Sequence, residues 1–165
     1  DWEGAVIISP ESDFESAIIG KLQAFMPELG KCFAFVARQQ RISTETKDFF
    51  VDLVFYNYIL KCFVLVDLKT SELTHQDIGQ MDMYVRLFED TIKGADDNPT
   101  FGIILCTEKD HTVVKYSVLN ENRQLFASKY MLYLPTEEAL RQELERERAL
   151  VVREQQAQYA VALHI

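Results

Sequence analysis

The sequence predicts an α/β or α+β domain built on a central mixed sheet, and three observations predict it. Several apolar runs rich in Phe, Val, Ile and Tyr, among them "FFVDLVFY", "CFVLVDL" and "FGIILCT", have strand length and no helical stripe. Two other segments carry apolar residues at spacings of three and four. The strands are apolar on both faces, which belongs to a sheet covered by helices on each side. At 165 residues with 48% hydrophobic content, the chain can bury one full core.

After a short apolar entry, "AVIIS", the segment Ser12 to Leu29 places Phe14, Ile18, Leu22, Phe25 and Leu29 on one face of a helix, with Gly30 as its stop. "CFAFVAR" is the first strand, and polar "QQRISTETK" turns the chain at about Asp48. Phe49 to Tyr56 and Lys61 to Lys69 form a hairpin. Strand alternation puts Phe50, Asp52, Val54 and Tyr56 on one face, and Phe63, Leu65, Asp67 and Lys69 on one face of the partner.

A second helix opens at Thr74, with Asp77 in capping position and Ile78, Met81, Val85, Phe88 and Ile92 as its buried stripe. Gly94 and "DDNP" end it. "TFGIILCT" and "TVVKYSVL" are two further strands, and "YMLYLP" reads as a short last one. Thr136 opens a long charged helix to about residue 160. It reads as a solvated face whose sparse apolar residues Leu140, Leu144, Leu150 and Val151 leave room for packing on a partner chain, as in a homodimer.

Composition narrows the function classes. No run approaches the roughly 18 apolar residues of a membrane span, so no membrane partner is expected. Cys32, Cys62 and Cys106 stand singly in apolar runs, which fits core residues in a reducing cytoplasm rather than disulfides or a zinc site. The sequence starts at Asp1 without Met and reads as a domain cut from a longer protein. His75, His111 and His164 have no Ser or Cys partner in motif, and there is no GxxxxGK loop, so a hydrolase triad and an ATPase are excluded. A net charge of −9 argues against a generic nucleic-acid binder, whose affinity comes from Lys and Arg on phosphates.

The informative feature is the acids inside the apolar hairpin. If its turn centres between Ile59 and Leu60, Asp52 and Asp67 fall opposite each other, with Lys69 on the same side as Asp67. Two carboxylates about 4 Å apart repel by about 4 kcal/mol at an effective dielectric near 20, more than one lysine offsets after desolvation. A divalent cation would offset it. Hard oxygen ligands with open coordination suit Mg²⁺ or Mn²⁺ and a phosphate substrate, and phosphodiester hydrolysis follows from that chemistry.

Asp52, then Asp67-Leu68-Lys69, in a helix-strand-strand-strand-helix-strand order resembles the PD-(D/E)xK nuclease superfamily, and "QMDMY" resembles the QxxxY element of its RecB-like branch. More specifically, "GKCFAFVARQQR", "FFVDLVFYN", "VDLKTSELTHQDIGQMDMYV" and "FGIILCTEKD" resemble the C-terminal domain of the YhcG-like family of bacterial nucleases over about Asp13 to Leu140.

The resemblance implies a restriction-endonuclease-like core of αβββαβ order, about residues 12–135, plus the long C-terminal helix. It implies a Mg²⁺- or Mn²⁺-dependent deoxyribonuclease acting on DNA, with Asp52, Asp67 and the Leu68 carbonyl as metal ligands and Lys69 as catalytic lysine. Glu28 is the first choice for an added helix carboxylate, and Glu15 the weaker one. Gln80 and Tyr84 would contact substrate backbone, and Arg38, Gln39 and Arg41 would face phosphates. Ala37 stands where the family has glycine. The resemblance also implies a preceding helical N-terminal region as a partner within the full protein. A catalytically silent binding or assembly module on the same fold is the alternative.

Overall fold

The computed structural model describes residues 10–109 and 111–163, so "AVIIS" and His164 lie outside the described residues. The first helix, α1, runs Pro10–Leu29 and buries Ile18, Leu22, Phe25 and Met26. Gly30 follows because the Phe33 ring lies 2.4 Å from where a Cβ would project. The strands are β1 (Phe33–Ser43), β2 (Asp48–Asn57), β3 (Cys62–Lys69), β4 (Phe101–Glu108) and β5 (His111–Ser117). They form one sheet in the order β1-β2-β3-β4-β5, antiparallel throughout except for the parallel pair β3–β4.

Helix α2 (His75–Thr91) makes the crossover between the parallel strands. It starts on a full capping box, in which the Thr74 hydroxyl accepts the Asp77 N–H and the Asp77 carboxylate accepts the Thr74 N–H. A short helix α3 (Arg123–Ser128) precedes α4 (Glu137–Leu163), where Thr136 Oγ1 accepts the Ala139 N–H at the start.

Two apolar layers cover the sheet. Leu53, Phe55, Val64, Val66, Ile103 and Leu105 meet α1 and α4 on one face. Val54, Leu65 and Ile104 meet Met81, Tyr84, Val85 and Phe88 of α2 on the other. Helix α2 approaches β4 so closely that a Cβ on Gly102 would sit 2.5 Å from Met81 Sδ. The expected α/β class, with αβββαβ order and a long C-terminal helix, is the fold observed.

Several local expectations are corrected. β1 continues through "QQRIS", and the turn is confined to residues 44–47, because β2 is long enough to pair with it to Ser43. "YMLYLP" is not a strand: Tyr130–Tyr133 form a 3₁₀ turn, with Tyr130 buried against Phe101 and Phe126 instead of pairing at a sheet edge. Ile92 caps α2 and is exposed. Leu140, Leu144 and Val151 are buried in the chain's own core, so most of the apolar seam of α4 is already covered, while Leu150 is exposed.

Removing the cap hydroxyl with Thr74→Ala should cost about 1 kcal/mol, or roughly 2–4 °C in Tm, read by thermal unfolding.

Candidate active site

The hairpin has the register the acids require. Leu53 pairs with Val66 and Val54 with Leu65, so the next positions in the same register are Asp52 and Asp67. The side chains lock onto each other's strands. Asp67 Oδ1 accepts the Asp52 N–H at 3.0 Å, and Asp52 Oδ2 accepts the Leu68 N–H at 2.8 Å.

The regular two-residue alternation breaks here. Phe49 and Val51 lie on the α2 side, and so does Val54, whereas Leu53 lies on the α1 side and Phe50 is exposed. Phe50, Asp52, Val54 and Tyr56 therefore do not share one face, because the strand slips at Asp52.

β1 shifts register earlier, between Phe35 and Ala37, and keeps one register from there to Ser43. Arg38 pairs with Leu53 and Gln40 with Val51, which sets Gln39 opposite Asp52. Gln39 has φ 54°, in the left-handed region, and donates from Nε2 to Asp52 Oδ1 at 2.8 Å. That conformation costs a non-glycine residue about 1 kcal/mol or more. The backbone irregularities of β1 are thus the register shift ending at Ala37 and the left-handed residue Gln39.

Asp67 is 7% exposed. Burial, then the Asp52 charge, pushes its carboxyl up to about 7, against the pull of the Asp52 N–H and the Lys69 ammonium. Burial also raises Asp52, partly countered by the Leu68 N–H, Gln39 and Lys69, while Glu15 raises it further. Burial pushes the Tyr84 hydroxyl up to about 12, helped by the charges of Asp67 and Asp52, so the phenol stays protonated beside the pair.

Lys69 Nζ stands 3.6 Å from Asp77 Oδ1. Burial raises the Asp77 carboxyl, but the Thr74 amide and hydroxyl and the Lys69 ammonium outweigh it and hold it below its ordinary value. One carboxylate therefore caps α2 and holds the lysine.

The donor chemistry fits a hard divalent cation. Among the described residues, no salt bridge neutralises Asp52 or Asp67, and the nearest ammonium is engaged with Asp77. Each carboxylate oxygen in these bonds keeps a lone pair for a further partner. No three His, Cys, Asp or Glu side chains among the described residues gather into a metal cluster, so a cation here would take two carboxylates, backbone oxygen and water.

The profile of the YhcG PDDEXK nuclease domain matches residues 7–145. The chain belongs to the YhcG PDDEXK nuclease domain family. It is 40% identical over 141 residues, 86% of its length, to the Escherichia coli (strain K12) protein named "Putative nuclease YhcG", and it spans 38% of that relative's length. Remote likenesses occur among solved structures. The "Structure of EndoMS-dsDNA2 complex" aligns over 67% of this chain and 41% of that one, at 17% identity and TM-score 0.44. A repair endonuclease from Pyrococcus abyssi aligns over 74% and 45%, at 17% identity and TM-score 0.43.

Not every expected residue reaches the pair. Glu28 is exposed at the far end of α1, nearly four turns or roughly 20 Å along the helix from Glu15. Glu15 is the α1 carboxylate near the acid pair: its Oε1 accepts the Thr70 hydroxyl at 2.6 Å, just past Lys69, and its charge reaches Asp52.

Arg38 turns onto α1, donating to the Ser16 carbonyl at 3.1 Å. Arg41 pairs with Asp48 at 3.1 Å near the tip of the β1–β2 hairpin. Tyr84 is buried against Phe49, and Gln80 is half-buried one turn earlier on α2. Asp77 is a site residue that the sequence offered only as a helix cap.

Because the folded Asp67 carboxyl holds its proton to about pH 7 and the unfolded one releases it near 4, stability should fall as pH rises through that interval. Asp67→Asn should therefore raise Tm at pH 8 in chelator, on the order of 2 kcal/mol or roughly 4–8 °C, with the gain vanishing near pH 4, followed by thermal melts across that range.

Proposed function

We propose that this domain is a Mg²⁺- or Mn²⁺-dependent deoxyribonuclease. The observation that carries the reading is the buried, mutually bonded pair Asp52 and Asp67, with no salt bridge to either among the described residues and a lysine two residues after Asp67 on the same strand. Family membership supports nuclease chemistry, and DNA as substrate follows the resemblance of the motif set to its bacterial relatives.

In this reading Asp52, Asp67 and the Leu68 carbonyl hold the ion, with Glu15 close enough to orient a water bound there. The ion would polarise the scissile phosphate and lower the pKa of a bound water. Lys69 steadies charge on the phosphate oxygens as it builds, and Asp77 keeps the ammonium on the α2 side of β3. Gln39 holds the Asp52 carboxylate in one orientation, so the oxygens are fixed before substrate arrives. Tyr84 and Gln80 line the α2 side, where a protonated phenol donates to a substrate oxygen. Arg38 and Arg41 stand on the β1–β2 hairpin at the same end of the sheet and would leave the Ser16 carbonyl and Asp48 to contact backbone phosphates.

Asp67→Ala and Lys69→Ala should each lower DNA cleavage by at least about a hundredfold with unchanged circular dichroism. Mn²⁺ should raise Tm of the parent chain, as ligand binding to the folded state does, but not that of Asp67→Ala. Full cleavage by either variant would remove the assigned roles, and a parent chain that binds Mn²⁺ yet cuts no DNA would favour a silent binding module.

A further inference from the structure

Several cations of this domain are engaged. Lys69, Arg86, Lys93 and Arg146 each pair with a carboxylate. Lys109, Arg148 and Arg153 differ: among the described residues none of them has an ion-pair partner, and all three line one cavity of about 600 Å³ between the β4–β5 turn and α4. The acid in its wall, Glu145, is held 2.8 Å from Arg141. Arg148 Nε is buried with no hydrogen-bond partner among the described residues, a donor that an anion in the cavity would satisfy.

The cavity lies at the catalytic end of the sheet. β3 and β4 run parallel with Lys69 beside Cys106, and Lys109 follows in the turn after β4, roughly 10 Å farther along. Phosphates in a nucleic-acid strand recur every 3.4 Å or so along a duplex axis, so the cavity is a few nucleotides from a phosphate held at Asp67. A groove this open, with three cations spread along its wall, suits a run of phosphates better than one small anion.

We propose that Lys109, Arg148 and Arg153 form a subsite for the sugar–phosphate backbone of the nucleic-acid substrate, away from the scissile bond. This rests on the nuclease reading above. It gives an acidic domain a local, short-range hold on a polyanion.

The test measures binding of a short fluorescent DNA duplex to the 165-residue chain by anisotropy, in chelator and across a salt series. Three proteins are compared: the parent chain, the double variant Lys109→Gln/Arg153→Gln, and Lys61→Gln. Lys61 is an exposed cation at the β2–β3 turn, the opposite end of the sheet, and Arg148 is kept because its side chain is partly buried. The double variant should weaken binding about tenfold at low salt and reduce the slope of log K against log salt by about 2, with Tm unchanged; Lys61→Gln should change neither.

Parent-like affinity and slope in the double variant, or an equal loss in Lys61→Gln, would overturn the subsite, as would a parent chain that binds no DNA. A parallel cleavage assay in Mn²⁺ separates the two readings. Cleavage with parent-like binding by the double variant removes the subsite and leaves the nuclease. The expected binding loss without any cleavage by the parent chain removes the nuclease and leaves the subsite.

Discussion

Two like charges held face to face between neighbouring central strands are the constraint around which this structure is organised. Asp52 and Asp67 each accept a backbone N–H from the other's strand, so the bonds that normally close a β-ladder are here made partly by carboxylates. That arrangement is unfavourable by itself, since burial and mutual repulsion both raise the pair. It persists because β2 and β3 sit in the middle of the sheet with apolar layers on both faces. The strands on either side are fixed independently of the acids, and the acids have nowhere else to go.

The surroundings of the pair are fitted to it from three directions. On one flank Gln39 adopts a left-handed backbone and holds one oxygen of Asp52. On the other, Asp77 ties Lys69 to the first turn of α2 while one of its oxygens serves the helix cap. From below, α1 brings Glu15 to Thr70. Each contact comes from a different element, so the site's geometry depends on the whole αβββα unit and not on the hairpin alone. The Thr74–Asp77–Lys69 chain has a particular consequence: loosening the start of α2 also loosens the lysine.

Much of this was legible in the sequence. The turn-centred register of the hairpin, the capping box at Thr74 and the two-faced apolar strands follow from local patterns, and the structure has them. The choice between Glu28 and Glu15 was legible too, but through strand directions and not through motif. The site lies at the C-terminal end of β3, hence at the N-terminal end of antiparallel β2 and the C-terminal end of β1. α1 leads into β1 by a short connection, so its C-terminal residues lie at the opposite end and only its first turns reach the acids. The left-handed backbone of Gln39 had no such signal, since glutamine has no special preference for that region. "YMLYLP" has strand-like residues, yet the core needed the Tyr130 ring inside, and tertiary packing overrode propensity.

A net charge of −9 and the proposed polyanionic substrate are compatible only if the charge is unevenly distributed. Part of the acid is paired along α4, between Glu138, Arg141 and Glu145 and between Glu143 and Arg146. Such surface pairs add little stability, but they present phosphate with dipoles instead of bare charge. At the end of the sheet where β3 stops, the balance differs. Two hairpin turns project past Lys69 on either side, one carrying Arg38 on its first strand and Arg41 near its tip and the other carrying Lys109, while Asp52 and Asp67 lie between them with Glu15 and Asp77 close by. On the proposed reading a bound divalent ion would offset the charges of Asp52 and Asp67 at this end, whereas the net negative charge elsewhere disfavours a phosphate backbone. Net charge would then act as a filter, disfavouring adhesion to nucleic acid away from the notch where the central strand ends.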